Sequence, residues 1–241
     1  MEHKTNSHTY YIGFTIIELL VVIGIIAVLL AILIPGLGKA RGMAKRMKCA
    51  SNLRQIDVAM RLYLGENKDT YPCAQDPVRD PNIWLWMGRG WRGFIAPYFG
   101  EKIDVNNPSV LLCPADNTEP NKYEATSYSY SMAFYHSPEQ INDMNSKEDT
   151  YKNTPKPSVQ QESDRVANPA KKIIVGEWNS NHRRVEQGQD KGWWNRLGSR
   201  NFLFADGHVI FLEAEKIRPA NDGNPNPNLT KDGIEGMDWP R

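Results

Sequence analysis

The sequence predicts an α+β protein in which a long amino-terminal helix, its first half crossing a membrane, packs its second half on a carboxyl-terminal antiparallel sheet with long loops. Three observations carry this reading. An apolar run from Gly13 to Pro35 is interrupted by one carboxylate, Glu18. Apolar residues then recur at Cys49, Leu53, Ile56, Met60 and Tyr63, with the spacings of four and three that mark one stripe of an amphipathic helix. Finally, Phe202 to Leu212 places Asp206-Gly207 between apolar β-formers, a signature of a tight hairpin.

The apolar run is about twenty residues long, which at about 1.5 Å per residue spans a hydrocarbon core of about 30 Å. A secretory signal would have a shorter apolar core and a small-residue cleavage site beyond it. Here the small residue, Gly13, lies before the run, so cutting there leaves the helix attached. A carboxylate inside hydrocarbon is expensive unless partnered, which makes Glu18 a functional candidate. Pro35 lacks an amide hydrogen and clashes with the preceding turn, and because the periodicity continues it is expected to kink the helix rather than end it. Gly65 and then Tyr71-Pro72 are expected to stop it.

Residues 71–241 suffice for one globular domain. Strands are expected at Ser109 to Cys113, Ser127 to Tyr135, Lys171 to Trp178, Phe202 to Phe204 and Val209 to Leu212. Glu139 to Asp164 reads as a long surface loop with one helical turn, and the tail from Pro219, rich in Gly, Pro and Asn, as surface wrap or a mobile segment. In the hairpin, Gly207 is suited to positive φ and Asp206 tolerates it. Asp206 and His208, with Glu177 or His182, offer metal-binding or acid–base groups, but no ligand set has recognisable spacing, so no metal is expected. The formal net charge of +1 argues against general nucleic-acid coating. Neither a phosphate-binding glycine loop nor a catalytic triad motif is present. No enzyme and no cofactor are expected.

Taken as a unit, Gly13-Phe14-Thr15-Ile16-Ile17-Glu18, with Pro35 ending the apolar run, resembles the type IV pilin and type II secretion pseudopilin family. The resemblance implies a leader of residues 1–13 cut after Gly13 by a prepilin peptidase, and a mature chain beginning at N-methylated Phe14. It implies a membrane segment at 14–35, an amphipathic continuation at 36–66, and a role for Glu18 in assembly, where its carboxylate pairs with the Phe14 amine of a neighbouring subunit. Cys49-Ala50-Ser51-Asn52-Leu53-Arg54-Gln55-Ile56 and Phe202 to Leu212 resemble a large pseudopilin subfamily that ends in a histidine, nine residues and Asp-Gly. Arg196 replaces that histidine here. Implied partners are the prepilin peptidase, other pilin or pseudopilin subunits, an inner-membrane assembly platform and membrane lipid, with no specific nucleic acid.

The cluster Lys39, Arg41, Lys45, Arg46 and Lys48 after the apolar segment would by the positive-inside bias keep the carboxyl-terminal bulk in the cytoplasm. The resemblance implies the reverse: a bacterial inner-membrane protein, amino terminus cytoplasmic, globular domain periplasmic, then a filament in the periplasm or at the cell surface. Of Cys49, Cys73 and Cys113, the pair Cys49–Cys113 is favoured as a disulfide, since Cys49 lies on the helix stripe, Cys113 ends an expected strand, and the subfamily has cysteines in both contexts. Buried free thiols are the alternative. Trp84, Trp86, Trp91, Trp178, Trp193 and Trp194 read as core rings, or, if exposed, as the surface of a membrane-anchored glycan- or partner-binding protein that does not polymerise. Asp222, Asn224, Asn226 and Asn228 alternate like a calcium loop but lack its terminal Glu, and a polar tail is the expected reading.

Overall fold

The structure is a computed structural model that describes residues 15–73, 91–100, 110–117, 126–151, 158–183, 185 and 192–239. Gly13, Phe14, Trp84, Trp86 and Ser109 lie outside the described residues. The chain divides into two compact units, 1–41 and 42–241.

Helix α1, Ile16–Glu66, runs through both. Between Glu18 and Lys39 it is apolar on every side and bare: Leu20 is 63 % exposed and Ile32 71 %. It is long and apolar enough to cross a membrane. Pro35 sits inside it, where its ring displaces the hydrogen bond that the Ala31 carbonyl would otherwise accept. The helix stops beside Gly65, as expected. It ends at Glu66, and Lys68 and Asp69, both at φ +56°, turn the chain while the Asp69 amide donates to the Leu64 carbonyl. A left-handed pair thus completes the termination.

In the second unit the buried face of α1 is Cys49, Asn52, Leu53, Ile56, Ala59, Met60 and Tyr63. It packs against an antiparallel meander of β1 (Tyr128–Tyr130), β2 (Ile173–Glu177), β3 (Ser199–Phe204) and β4 (Val209–Glu213), in that spatial order. Registers pair Tyr128 with Glu177, Gly176 with Phe202 and Asn201 with Phe211. Side-chain alternation divides β3 cleanly. Asn201 reaches the Arg46 carbonyl of α1 at 3.4 Å, while Phe202 meets Trp193 on the other face. Every residue of β2 and β3 is buried, so the sheet is covered on both sides.

Two expected strands are shorter or absent. Val110 to Cys113 is a turn, because its polar groups bond to Ser127 rather than to a ladder. The strand expected from Ser127 stops at Tyr130. The Ser131 hydroxyl accepts from the Ala133 amide and starts a 3-10 turn at Met132–Phe134. A short helix α2, Trp91–Ile95, runs into a 3-10 turn, and the helical turn expected at the start of residues 139–164 is α3, Pro138–Asp143. Ser137 and Gln140 close a capping box on it.

The tail is neither surface wrap nor free. Asn226, Asn228, Leu229, Thr230, Ile234 and Asp238 are buried. Asp238 accepts from the Ile173 amide at 2.7 Å and lies 3.3 Å from the Lys172 ammonium, which also donates to Thr230. The oxygens that alternate along Asp222 to Asn228 are turned onto internal donors: Asp222 accepts from the Asn224 amide, Asn226 from the Asn228 amide, and Asn228 from the Met132 amide.

His136 is enclosed beside Tyr135, its Nδ1 3.2 Å from Gln140 Oε1. Burial pushes its pKa from 6.5 down to about 4, against the opposing Gln140 hydrogen bond. Below 6.5 the unfolded chain takes up a proton that the folded chain refuses, so this contribution to stability is present above 6.5 and is lost as pH falls towards 4. The stability gap between the native chain and His136→Gln, from urea denaturation in detergent, is therefore expected to shrink by up to roughly 3 kcal/mol across that window. A pH-independent gap would contradict the assignment.

Candidate functional site

Two places concentrate chemistry. The first is the start of α1. Thr15 caps the helix: its amide and hydroxyl donate to Glu18 Oε2 at 2.8 and 2.7 Å, and its hydroxyl accepts from the Glu18 amide at 3.2 Å. Thr-x-x-Glu before an apolar run is a capping box. The carboxylate read from sequence as an assembly group therefore also completes the helix terminus, a signal present in the spacing and not recognised there.

The second is buried under α1. A disulfide joins Cys49 to Cys113, with Cα atoms 5.2 Å apart. The helix holds the loop carrying Cys113 by more than sulfur. Asn52, one turn beyond Cys49, donates through Nδ2 to the Leu112 carbonyl at 2.9 Å and to the Tyr128 hydroxyl at 3.3 Å. Ser127, just before β1, accepts from the Cys113 amide at 3.0 Å and gives its own amide to the Leu111 carbonyl at 2.9 Å.

Beside the sulfurs lie Glu177, the last residue of β2, and His182 in the turn that follows. Both side chains are enclosed, Glu177 completely. His182 Nε2 is 2.8 Å from Glu177 Oε1 and 3.4 Å from Cys113 Sγ. The other carboxylate oxygen accepts from the Asn201 amide at 2.8 Å. Burial first, and then the Glu177 carboxylate, hold the Tyr128 phenol well above its ordinary range, so it stays a neutral donor. One imidazole nitrogen faces both sulfur and carboxylate. A nucleophilic triad would use the two opposite nitrogens, so this is not one. The ligand atoms of Cys49, Cys113, Glu177 and His182 lie within 4.8 Å of one another, a set suited by type to a metal ion.

Asp206 and His208 do not join this cluster. They pair with each other at the β3–β4 turn, where His208 also stacks on Phe204 at 4.3 Å. Gly207 takes φ +95° and its amide donates to the Phe204 carbonyl, making a turn with one left-handed residue; Asp206 is not in that region. The turn abuts α1: a Cβ on Gly207 would meet Asp57 Oδ2 at 2.6 Å and Arg61 Nη2 at 2.8 Å, partners in an ion pair of 2.8 Å. Arg196, at the position of the missing histidine, donates to the Gly223 carbonyl at 2.8 Å and ties the tail to the domain. Cys73 is not in a disulfide; its thiol lies 3.4 Å from the Ser158 hydroxyl.

Trp91, Trp178 and Trp193 are core rings, and Trp194 and Trp239 are partly buried against the core. Trp91 stacks on Tyr130 at 5.8 Å, Trp193 donates to the Glu177 carbonyl, and Trp178 meets Trp194 edge-on at 4.9 Å. That burial removes Trp91, Trp178 and Trp193 as a flat stacking surface for sugars.

Residues 38–191 match the model of a family described as "Protein of unknown function (DUF1559)". No curated protein and no solved structure matches the chain.

Gly207→Ala is expected to destabilise the full chain in detergent by about 1–3 kcal/mol, through left-handed backbone strain together with the clash at Asp57. Gly223→Ala, at φ +73° with nothing within 4 Å, tests the strain alone and is expected to lose less. Equal denaturation midpoints for the two variants would contradict the close approach.

Proposed function

The chain belongs to the DUF1559 family, and from that premise we propose that it is a pilin-like structural subunit, anchored by α1 and assembled with like subunits through its apolar helix. One observation carries the proposal. A single helix is bare and apolar around its whole circumference between Glu18 and Lys39, yet buries one stripe against a sheet further on. A helix that is apolar all round needs hydrocarbon or other apolar helices about it.

The finer reading rests on Gly13-Phe14 and Glu18. A prepilin peptidase cuts after Gly13, the Phe14 amine is methylated, and subunits pass from the membrane into a type IV pilus or type II secretion pseudopilus. Glu18 guides entry by pairing with a neighbour's amine, since neither charge is stable alone in hydrocarbon. The work is structural, not catalytic. Membrane lipid, the peptidase, sister subunits and an assembly platform are its partners, and the folded unit lies outside the cytoplasm, where a disulfide persists.

The capping role of Glu18 makes a clean test possible. Glu18→Gln keeps a side chain able to complete the capping box but removes the charge. Thr15→Ala removes the cap, at about 1 kcal/mol, and keeps the charge. With sister subunits and assembly machinery co-expressed, Glu18→Gln is expected to insert in the membrane normally and to be lost from cross-linked assemblies, whereas Thr15→Ala assembles. Normal assembly of Glu18→Gln, or loss of both variants alike, would assign Glu18 to the cap and refute the guiding role.

A further inference from the structure

We propose that Cys49, Cys113, His182 and Glu177 form a tetrahedral Zn2+ site when the disulfide is reduced, so that disulfide and metal are alternative occupants of one buried pocket. The donor set is two thiolates, one imidazole and one carboxylate, the mixture that zinc takes in closed protein sites. Convergence is the stronger argument. His182 Nε2 faces Cys113 Sγ at 3.4 Å and Glu177 Oε1 at 2.8 Å, as ligands do around a shared centre. Tetrahedral zinc with ordinary bond lengths places sulfur and nitrogen about 3.6 Å apart and nitrogen and oxygen about 3.3 Å apart. These positions are a few tenths of an ångström away. The sulfurs must part to about 3.8 Å by rotation about their Cα–Cβ bonds, and ligand atoms that now lie up to 4.8 Å apart must draw together.

The supporting contacts are already in place. Glu177 is oriented by the Asn201 amide through Oε2, which leaves Oε1 turned to the site. Cys113 is oriented by Ser127, and its loop by Asn52. Outer contacts of this kind set ligand direction and typically matter 10–100-fold in metal affinity. Cys49 and Glu177 are fully enclosed, so water does not compete for the ion.

The chemistry balances. A dithiol reductant gives two electrons and two protons to the Cys49–Cys113 bond, itself closing to a disulfide, and leaves two thiols. Zn2+ binding expels both thiol protons and changes no oxidation state. Re-oxidation by a disulfide-bearing partner reforms the bond and releases the ion.

The test uses the full chain in detergent micelles, with Cys73→Ser so that no other described thiol competes, reduced by a phosphine and titrated with Co2+ and then Zn2+. One Co2+ per chain is expected, with tetrahedral d–d and thiolate-to-cobalt charge-transfer absorption that Zn2+ displaces. The oxidised chain should show neither band. His182→Ala, which leaves both cysteines in place, should weaken Zn2+ binding at least tenfold, and Glu177→Gln should do likewise. A reduced chain that keeps its circular dichroism but develops no charge-transfer band would overturn the proposal. Unfolding on reduction that Zn2+ does not reverse would overturn it too, as would undiminished affinity in His182→Ala.

Discussion

Docking of the α1 stripe onto the sheet is the contact on which the rest of the structure depends. The helix must satisfy two solvents in turn: hydrocarbon or apolar neighbours over its first half, and a water-soluble domain over its second. The buried stripe from Cys49 to Tyr63 couples it to that domain. Polar bonds fix how it lies there, from Asn52 to the Cys113 loop and from Asn201 of β3 to the Arg46 carbonyl. The Cys49–Cys113 bond fastens the same face across a separation of 64 residues, a closure that chain-entropy reasoning values at about 4 kcal/mol.

A sheet of four short strands leaves much of the domain to loops, whose backbone groups must find partners without a ladder. Buried polar side chains supply them. Arg200 is 1 % exposed and spends its guanidinium on the Trp178, Leu197 and Gly192 carbonyls, holding the loop between β2 and β3. Lys172 and Asp238 do the same for the tail. Burial lowers the Lys172 pKa, and the Asp238 carboxylate opposes that shift. Such pairs add little net stability when intact but are strongly destabilising when one partner is removed, so they specify where the tail goes.

What was legible in the chain follows from which interactions are local. The helix stripe, β2 and the β3–β4 hairpin rest on periodicity and turn chemistry within a few residues, and they stand close to where the sequence places them. The tail is not legible because Asn228 and Asp238 find donors on Met132 and Ile173, far away in sequence and invisible to composition. The helix end beside Gly65 is legible, but the left-handed turn at Lys68 and Asp69 that follows it is not. In the candidate site, Cys49 and Cys113 are nameable as a pair and Glu177 and His182 as polar candidates, but their meeting is visible only once β2 and the turn after it deliver carboxylate and imidazole beside the sulfurs. The ligand spacing of 49, 113, 177 and 182 matches no linear motif. The Thr15–Glu18 box, by contrast, was in plain view, obscured by the more specific meaning attached to the carboxylate.

The account turns on α1 being the retained, processed end of an assembling subunit. Intact-mass spectrometry of the protein from membranes, with and without a prepilin peptidase, tests this most directly. The account predicts a species beginning at N-methylated Phe14 only when the peptidase is present. A chain that retains residues 1–13 in both samples would contradict it and leave α1 as a plain anchor.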